Sequence, residues 1–206
     1  MDTEQCAMAH RMGEGVRWDD FEEGFAAIDE IGPGGHYLGL NHYAEAADVI
    51  VEKPDLVVVA TGGWPSEVDV PGGDAAISSW DILSGDKRVS GDILLIDETG
   101  DHSASVCADV LAQQGCTVIM ATPDRAIAHE LGPTNSSVVL RNLALKNVSF
   151  ECFLELESIE VVGSRRKATL RHVLTNITEI RHVDHVVVEQ GTSPTDVIYH
   201  ELKGRS

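Results

Sequence analysis

Apolar residues along this chain fall into short unbroken runs separated by turns that carry glycine or proline. Such runs are the pattern of strands buried on both faces of a parallel sheet. The clearest example spans residues 93–122, ILLIDETGDHSASVCADVLAQQGCTVIMAT. Residues 93–96 predict a strand, and residues 97–103 a polar loop holding one glycine, Gly100. Residues 105–114 place Val106, Val110 and Leu111 at helical spacing, and Gly115 stops the helix where a left-handed residue is favoured. Residues 116–121 predict a second strand. Strand, crossover helix and parallel strand make a βαβ unit, the building block of nucleotide-binding folds.

The flanking patterns predict further elements. Residues 4–12 and 21–31 read as short amphipathic helices, the second opened by Asp19 and Asp20. The glycine-rich stretch IGPGGHYLG over 31–39 has no strand before it and no Lys-Ser/Thr in P-loop register after it, so a structural turn explains it better than a phosphate cradle. Residues 43–52 predict a helix broken at Lys53-Pro54. Residues 55–60, DLVVVA, predict a strand ending at Thr61-Gly62-Gly63. Those glycines either admit a ligand at the carboxyl edge of a sheet or serve a tight turn. A turn at Pro71-Gly72-Gly73 and a short helix over 79–83 lead into the βαβ unit. After it, residues 132–135 open a helix over 136–145, with Asn135 or Ser136 as N-cap. Strands are then expected at 148–154, 157–162, 167–174 and 182–189, with a charged bend at 178–181. The last run, VDHVVVEQGTSP, repeats the plan of DLVVVATGGWP: apolar strand, glycine, then proline.

Composition narrows the partners. The 206 residues are 43% hydrophobic and suffice for a sizeable core. The net charge of −19 repels phosphate backbones and anionic lipid, which argues against nucleic acid and membrane partners. No run reaches the length needed to span a bilayer, and the first residues are polar, so a soluble cytoplasmic protein is expected. Arg165-Arg166-Lys167 reads as a solvated hairpin turn. Cys6, Cys107, Cys116 and Cys152 lack ligand-like spacing and read as reduced core residues, with no metal site. His182 and His185 fall on opposite strand faces and do not pair on a metal, and His102 reads as a loop-surface residue.

Two resemblances overlay this reading. TEQCAMAHRMGEGV and GFAAIDEIGPGGHYLGLNH resemble the C-terminal end of the trimethylamine:corrinoid methyltransferase family, covering residues 1–43. That family's barrel has no counterpart in this chain, so no catalytic residue carries over. From about residue 44 onward, DLVVVATGGWP, SWDILSG, ILLIDETGDH, ATPDR, ELGPTN and VDHVVVEQGTSP resemble, in that order, the C-terminal half of old-yellow-enzyme-like flavoprotein demethylases and dehydrogenases. These include the trimethylamine dehydrogenase and 2,4-dienoyl-CoA reductase relatives.

The second resemblance implies an α/β fold with a Rossmann-like parallel sheet of the pyridine-nucleotide-disulfide-reductase type, an added β-rich segment and a short helical N-terminal extension. It implies four segments: 1–43 as the extension, 44–90 as part of a flavin-type domain, 91–147 as the βαβ nucleotide unit, and 148–206 as the β-rich remainder returning to the flavin-type sheet. It also implies FAD or NAD(P)H. The opening GxGxxG and the closing Gly-Asp of the flavin fold are not found in the chain, and the loop at 97–103 has one glycine and three carboxylates. A carboxylate ~4 Å from a pyrophosphate costs roughly 1–4 kcal/mol, depending on the local dielectric. The cofactor-binding residues implied are Thr61, Gly62, Gly63, Asp97, Glu98, Gly100 and Arg125; Arg125 reads either as a surface arginine, the better reading, or as a contact to a 2′-phosphate or an adenine. No residue stands out as a proton donor or nucleophile.

The function expected is a partial or truncated oxidoreductase domain of amine-demethylase type, not catalytic by itself, paired with a flavoprotein subunit or with its own copies. A scaffold or subunit-interaction domain and a methyltransferase-related protein are the alternatives. A gene fusion, rearrangement or truncation near residues 42–46 would explain how the two resemblances meet. If the first flavin-type βαβ unit is absent, the strand at 55–60 should present an exposed apolar edge.

Overall fold

The computed structural model describes residues 43–203 and the backbone of Met8–Ala9. In chain order the strands are Met8–Ala9 (β1), Val57–Val58 (β2), Gly63–Pro65 (β3), Ile77–Ser78 (β4), Asp92–Asp97 (β5), Thr117–Ala121 (β6) and Ser149–Glu151 (β7). Leu154–Val162 (β8), Arg165–His172 (β9), Thr178–Val183 (β10), His185–Glu189 (β11) and Thr192–Pro194 (β12) follow. The helices are Ala46–Val51 (α1), Ser79–Leu83 (α2), His102–Gln113 (α3), Gly132–Leu145 (α4) and Val197–Leu202 (α5). The chain divides into two units, one of Met1–Trp64 with Ser193–Ser206 and one of Pro65–Thr192.

The larger unit has three layers. Its centre is a parallel sheet in the order β4-β11-β5-β6-β7. The expected βαβ unit is present as β5–α3–β6, and α4 carries the chain onward to β7. Strand β5 lies between β11 and β6, so Ile93, Leu94, Leu95 and Ile96 lose all contact with solvent. Alternation then divides them. Ile93 and Leu95 pack among residues of α2, α3 and α4, while Leu94 and Ile96 pack against the antiparallel meander β8–β9–β10. Each such aliphatic side chain contributes about 1.5–3 kcal/mol by leaving water. The inner face of α3 is built from Ala104, Cys107, Ala108 and Leu111, and the small side chains of the first three let the helix lie close to the sheet; Val106 is exposed.

Several sequence expectations change. Residues 178–181 are not a bend but the body of β10, paired residue by residue with β9. The charge is tolerated because Arg181 lies between Glu179 at 2.8 Å and Glu151 at 3.0 Å. The run at 182–189 is two strands, separated at Asp184, whose N–H and carboxylate both bond the backbone of Asp92 at 2.8 Å. Arg165-Arg166-Lys167 opens β9 and is not a solvated turn: Arg165 pairs with Asp92 and Asp184, and Lys167 with Glu160. Helix α4 begins at Gly132 with Pro133 in its first turn and no side-chain cap, so neither Asn135 nor Ser136 is the N-cap. Proline favours a helix start, since its φ is preset and it has no N–H to satisfy.

The smaller unit departs further. Of the strand expected at 55–60, only Val57–Val58 is extended in a ladder, pairing antiparallel with Met8–Ala9. Leu56 and Val58 are exposed. Met8 and Ala9 are therefore strand and not part of the helix expected over 4–12. The helix at 21–31 and the glycine-rich turn at 31–39 lie outside the described residues. Among the described residues, no helix is long and apolar enough to cross a membrane.

Candidate functional site

In an open parallel sheet, ligands bind at the carboxyl ends of the strands, where backbone groups point outward unpaired. In the larger unit this edge is acidic. Strand β5 ends at Asp97 and its register partner on β11 is Glu189, both buried. Asp97 Oδ1 accepts hydrogen bonds from the Gly100 N–H (2.8 Å), the Thr99 N–H (3.1 Å) and the Thr99 hydroxyl (3.3 Å). Its Oδ2 is buried with no hydrogen-bond partner. Burial pushes the Asp97 carboxyl above the usual carboxylate range; the bonds from Gly100 and Thr99 oppose the rise and the charge of Asp101 adds to it.

Glu189 is satisfied differently. Its Oε2 accepts from the buried Ser79 hydroxyl at the start of α2, and its Oε1 from the Gly191 N–H at 3.0 Å. The backbone N–H of Glu98 donates to the Glu189 carbonyl (3.0 Å), which ties the two strand ends together. Cys107, under this edge, is a free buried thiol pushed up to about 12 by burial and by the charge of Glu189. A thiol held protonated is inert at neutral pH, in line with a core role.

The N-terminus of α3, where a phosphate would bind in a dinucleotide fold, is capped from within the chain. Asp101 accepts from the Ser103 N–H at 2.8 Å. Gly100 has φ +67°, and a Cβ added there would come within 2.2 Å of His129 Nδ1. The Gly100 carbonyl accepts from the Glu130 N–H at 3.0 Å. His129 in turn approaches Glu130 (3.1 Å) and Asp124 (3.5 Å). The structure thus gathers Asp97, Glu98 and Gly100 into one loop, with Glu98 exposed. Arg125 is an exposed residue on the segment after β6. His102, expected on the loop surface, is the exposed first residue of α3.

Thr61, Gly62 and Gly63 belong to the smaller unit. The Thr61 hydroxyl donates to the Thr195 carbonyl, and the Thr195 N–H donates to the Gly62 carbonyl at 2.9 Å. Gly62 has φ +65° with open space where a Cβ would stand, so the turn conformation demands glycine while the space remains free. A cavity of about 200 Å³ opens here, lined by Val59, Ala60, Thr61 and Gly62 on one side and Pro194, Thr195, Asp196 and Tyr199 on the other. Among the described residues no group of His, Cys, Asp or Glu is placed to hold a metal ion.

Glu189, Ser79 and His129 were missed by sequence reasoning. A signal existed for Glu189: HVVVEQG and ILLIDETG share the order apolar run, acid, then glycine, and in both the acid accepts from that glycine's N–H. No comparable signal marks His129, which reaches Gly100 from 29 residues away in sequence.

This Rossmann-like α/β architecture is shared with oxidoreductases that act on amines and N-methyl groups, and the chain is a partial-length homologue of them. It is 39% identical over 164 residues to the probable N-methylproline demethylase of Rhizobium meliloti (strain 1021), covering 79% of this chain and 24% of that protein. It is 34% identical over 199 residues to the N,N-dimethylglycine/sarcosine dehydrogenase of Chromohalobacter salexigens, covering 93% of this chain and 28% of that protein. Among solved structures, 6-hydroxypseudooxynicotine amine oxidase of Pseudomonas geniculata N1 superimposes with a TM-score of 0.70 at 26% identity, over 82% of this chain and 26% of that one. The chain thus spans about a quarter of the length of the curated relatives it matches. The trimethylamine methyltransferase (MTTB) family matches residues 1–48, so both resemblances read from the sequence are borne out. The match to the dimethylglycine/sarcosine dehydrogenase takes in more of the chain than residues 49–206 supply, so it extends into that same segment.

Proposed function

We propose that the chain is the nucleotide-domain-type portion of an amine N-demethylase or dehydrogenase, serving a flavin-dependent oxidoreductase without carrying out the chemistry itself. The observation that supports it is the residue content of the strand edges: Asp97 Oδ1 and both carboxylate oxygens of Glu189 accept structural hydrogen bonds, and the remaining oxygen, Asp97 Oδ2, is buried away from solvent. The edge formed by Thr61, Gly62 and Gly63 is the better place for a flavin, because a glycine with open space above it lets a ligand approach the backbone. For NAD(P)H the candidate residues are Asp97, Glu98 and Gly100 of the second edge, with Arg125 from the segment after β6. The partner is a flavoprotein subunit or a second copy of this chain, and the compartment the cytoplasm.

Titrating the purified chain with FAD, FMN, NADH and NADPH, read by absorbance and thermal shift, tests the cofactor assignment. A bound flavin at about 100 times its Kd adds about 2.7 kcal/mol of stability. Absence of any shift with either flavin removes the flavin site. A scaffold or interaction domain then takes its place, a reading favoured by the exposed Leu56 and Val58 on a strand with one short partner among the described residues.

A further inference from the structure

We infer that the dinucleotide edge of the larger unit is closed by the chain's own side chains, with His129 occupying the approach to Gly100 and Asp101 occupying the phosphate position at the N-terminus of α3. A dinucleotide fold binds its pyrophosphate through a glycine backbone left bare at the β–α turn and through the first N–H groups of the helix. Here both features exist, but the glycine is covered and the Ser103 N–H is already bonded. The space above Gly100 is filled by the His129 ring, 2.2 Å from where a Cβ would stand, and the Gly100 carbonyl accepts from Glu130. The Ser103 N–H is turned to Asp101.

The closing segment is held firmly. Ile127 and Ala128, immediately before His129, are buried in the core, and Ala128 is left-handed at φ +56°. A non-glycine residue persists in that conformation only where its surroundings dictate it. His129 is further held between Asp124 and Glu130. A pyrophosphate entering this edge would have to displace the ring and would meet Asp97, Glu98 and Asp101, three carboxylates in a five-residue loop. Glycine at position 100 is thus explained by an internal side chain and not by a ligand. The inference concerns this edge alone and stands whether or not flavin binds at Thr61–Gly63.

Calorimetric titration of the intact chain with ADP and with NADH tests it. The wild type should give no saturable binding of either. The double variant H129A/D101N opens the ring position and removes one charge while asparagine retains the cap; its affinity for ADP should rise at least about tenfold. Saturable binding of ADP or NADH by the wild type with no gain in the variant overturns the inference. So does a variant with native circular dichroism that gains nothing. A thermal-melt cycle supplies a readout without ligand: Gly100→Ala should lower Tm more in the wild type than in the H129A background, since the φ strain is common to both and the clash is not. Equal drops would show that His129 does not cover Gly100.

Discussion

Residues 56–59 and residues 93–96 are both unbroken four-residue aliphatic runs, LVVV and ILLI, each followed within a few positions by glycine. The second is wholly buried, whereas Leu56 is 68% and Val58 56% exposed. Strand β5 has hydrogen-bonded neighbours on both sides and a layer over each face; β2 has a two-residue pairing with β1 among the described residues. An apolar run therefore specifies a tendency to extend, and the neighbours decide whether that tendency becomes a buried strand. The same contrast holds at the strand ends. Asp97 and Glu189 close their runs with a buried carboxylate bonded to a following glycine, whereas Thr61-Gly62 closes its run beside an open cavity.

The largest effect that could break this contrast is a cavity in the buried run. Leu95→Ala should cost about 2–5 kcal/mol in chemical denaturation, and a loss under 1 kcal/mol would mean that the parallel sheet is not packed as described. Next is the buried pair formed by Ser79 of α2 and Glu189 of β11. Ser79→Ala leaves Glu189 Oε2 without its donor and should cost about 1–3 kcal/mol, measured in the same way.

The Asp97 carboxyl sharpens the comparison through pH. Its folded value is raised, so the native state keeps its proton at a pH where the unfolded chain has already lost it. The unfavourable contribution is absent below the unfolded value of about 4 and grows as pH rises through the folded value, so stability falls over that window. Asp97→Asn keeps the Oδ1 acceptor and removes the ionisation. The wild-type-minus-variant stability difference should slope downward with rising pH, and a flat or rising difference would contradict the burial described. The smallest effect belongs to the exposed run: Leu56→Ser should change stability by no more than about 0.5 kcal/mol. A loss comparable to that of Leu95→Ala would show that a partner or a further part of the chain covers β2.

Much of the architecture was legible in the residues. The βαβ unit, the turn at Gly115 and the short helix at 79–83 follow from local apolar spacing and turn chemistry, and they appear at or within a few residues of their expected places. Two misreadings concern charged runs. Residues 178–181 read as a charged bend and residues 165–167 as a turn, yet the meander gives each strand a solvent face on which Arg181 and Lys167 meet carboxylates. Val106 was grouped with Leu111 by helical spacing, but close approach of α3 to the sheet selects alanine and cysteine for the contact instead.

The site shows the same limit more sharply. That the 97–103 loop is poor in glycine and rich in carboxylates is written in the sequence. What those groups do is not, because it depends on contacts between residues far apart in the chain. Glu189 becomes Asp97's neighbour only when β11 returns beside β5, nearly a hundred residues later. His129 reaches Gly100 only because Ile127 and Ala128 are drawn into the core. Local periodicity determined most of the strands and helices, and residue identity the acidic character of the edge. Tertiary packing alone decided which carboxylates are buried, which glycine is covered, and which apolar run is left facing water, because burial is a property of neighbours that no short stretch contains.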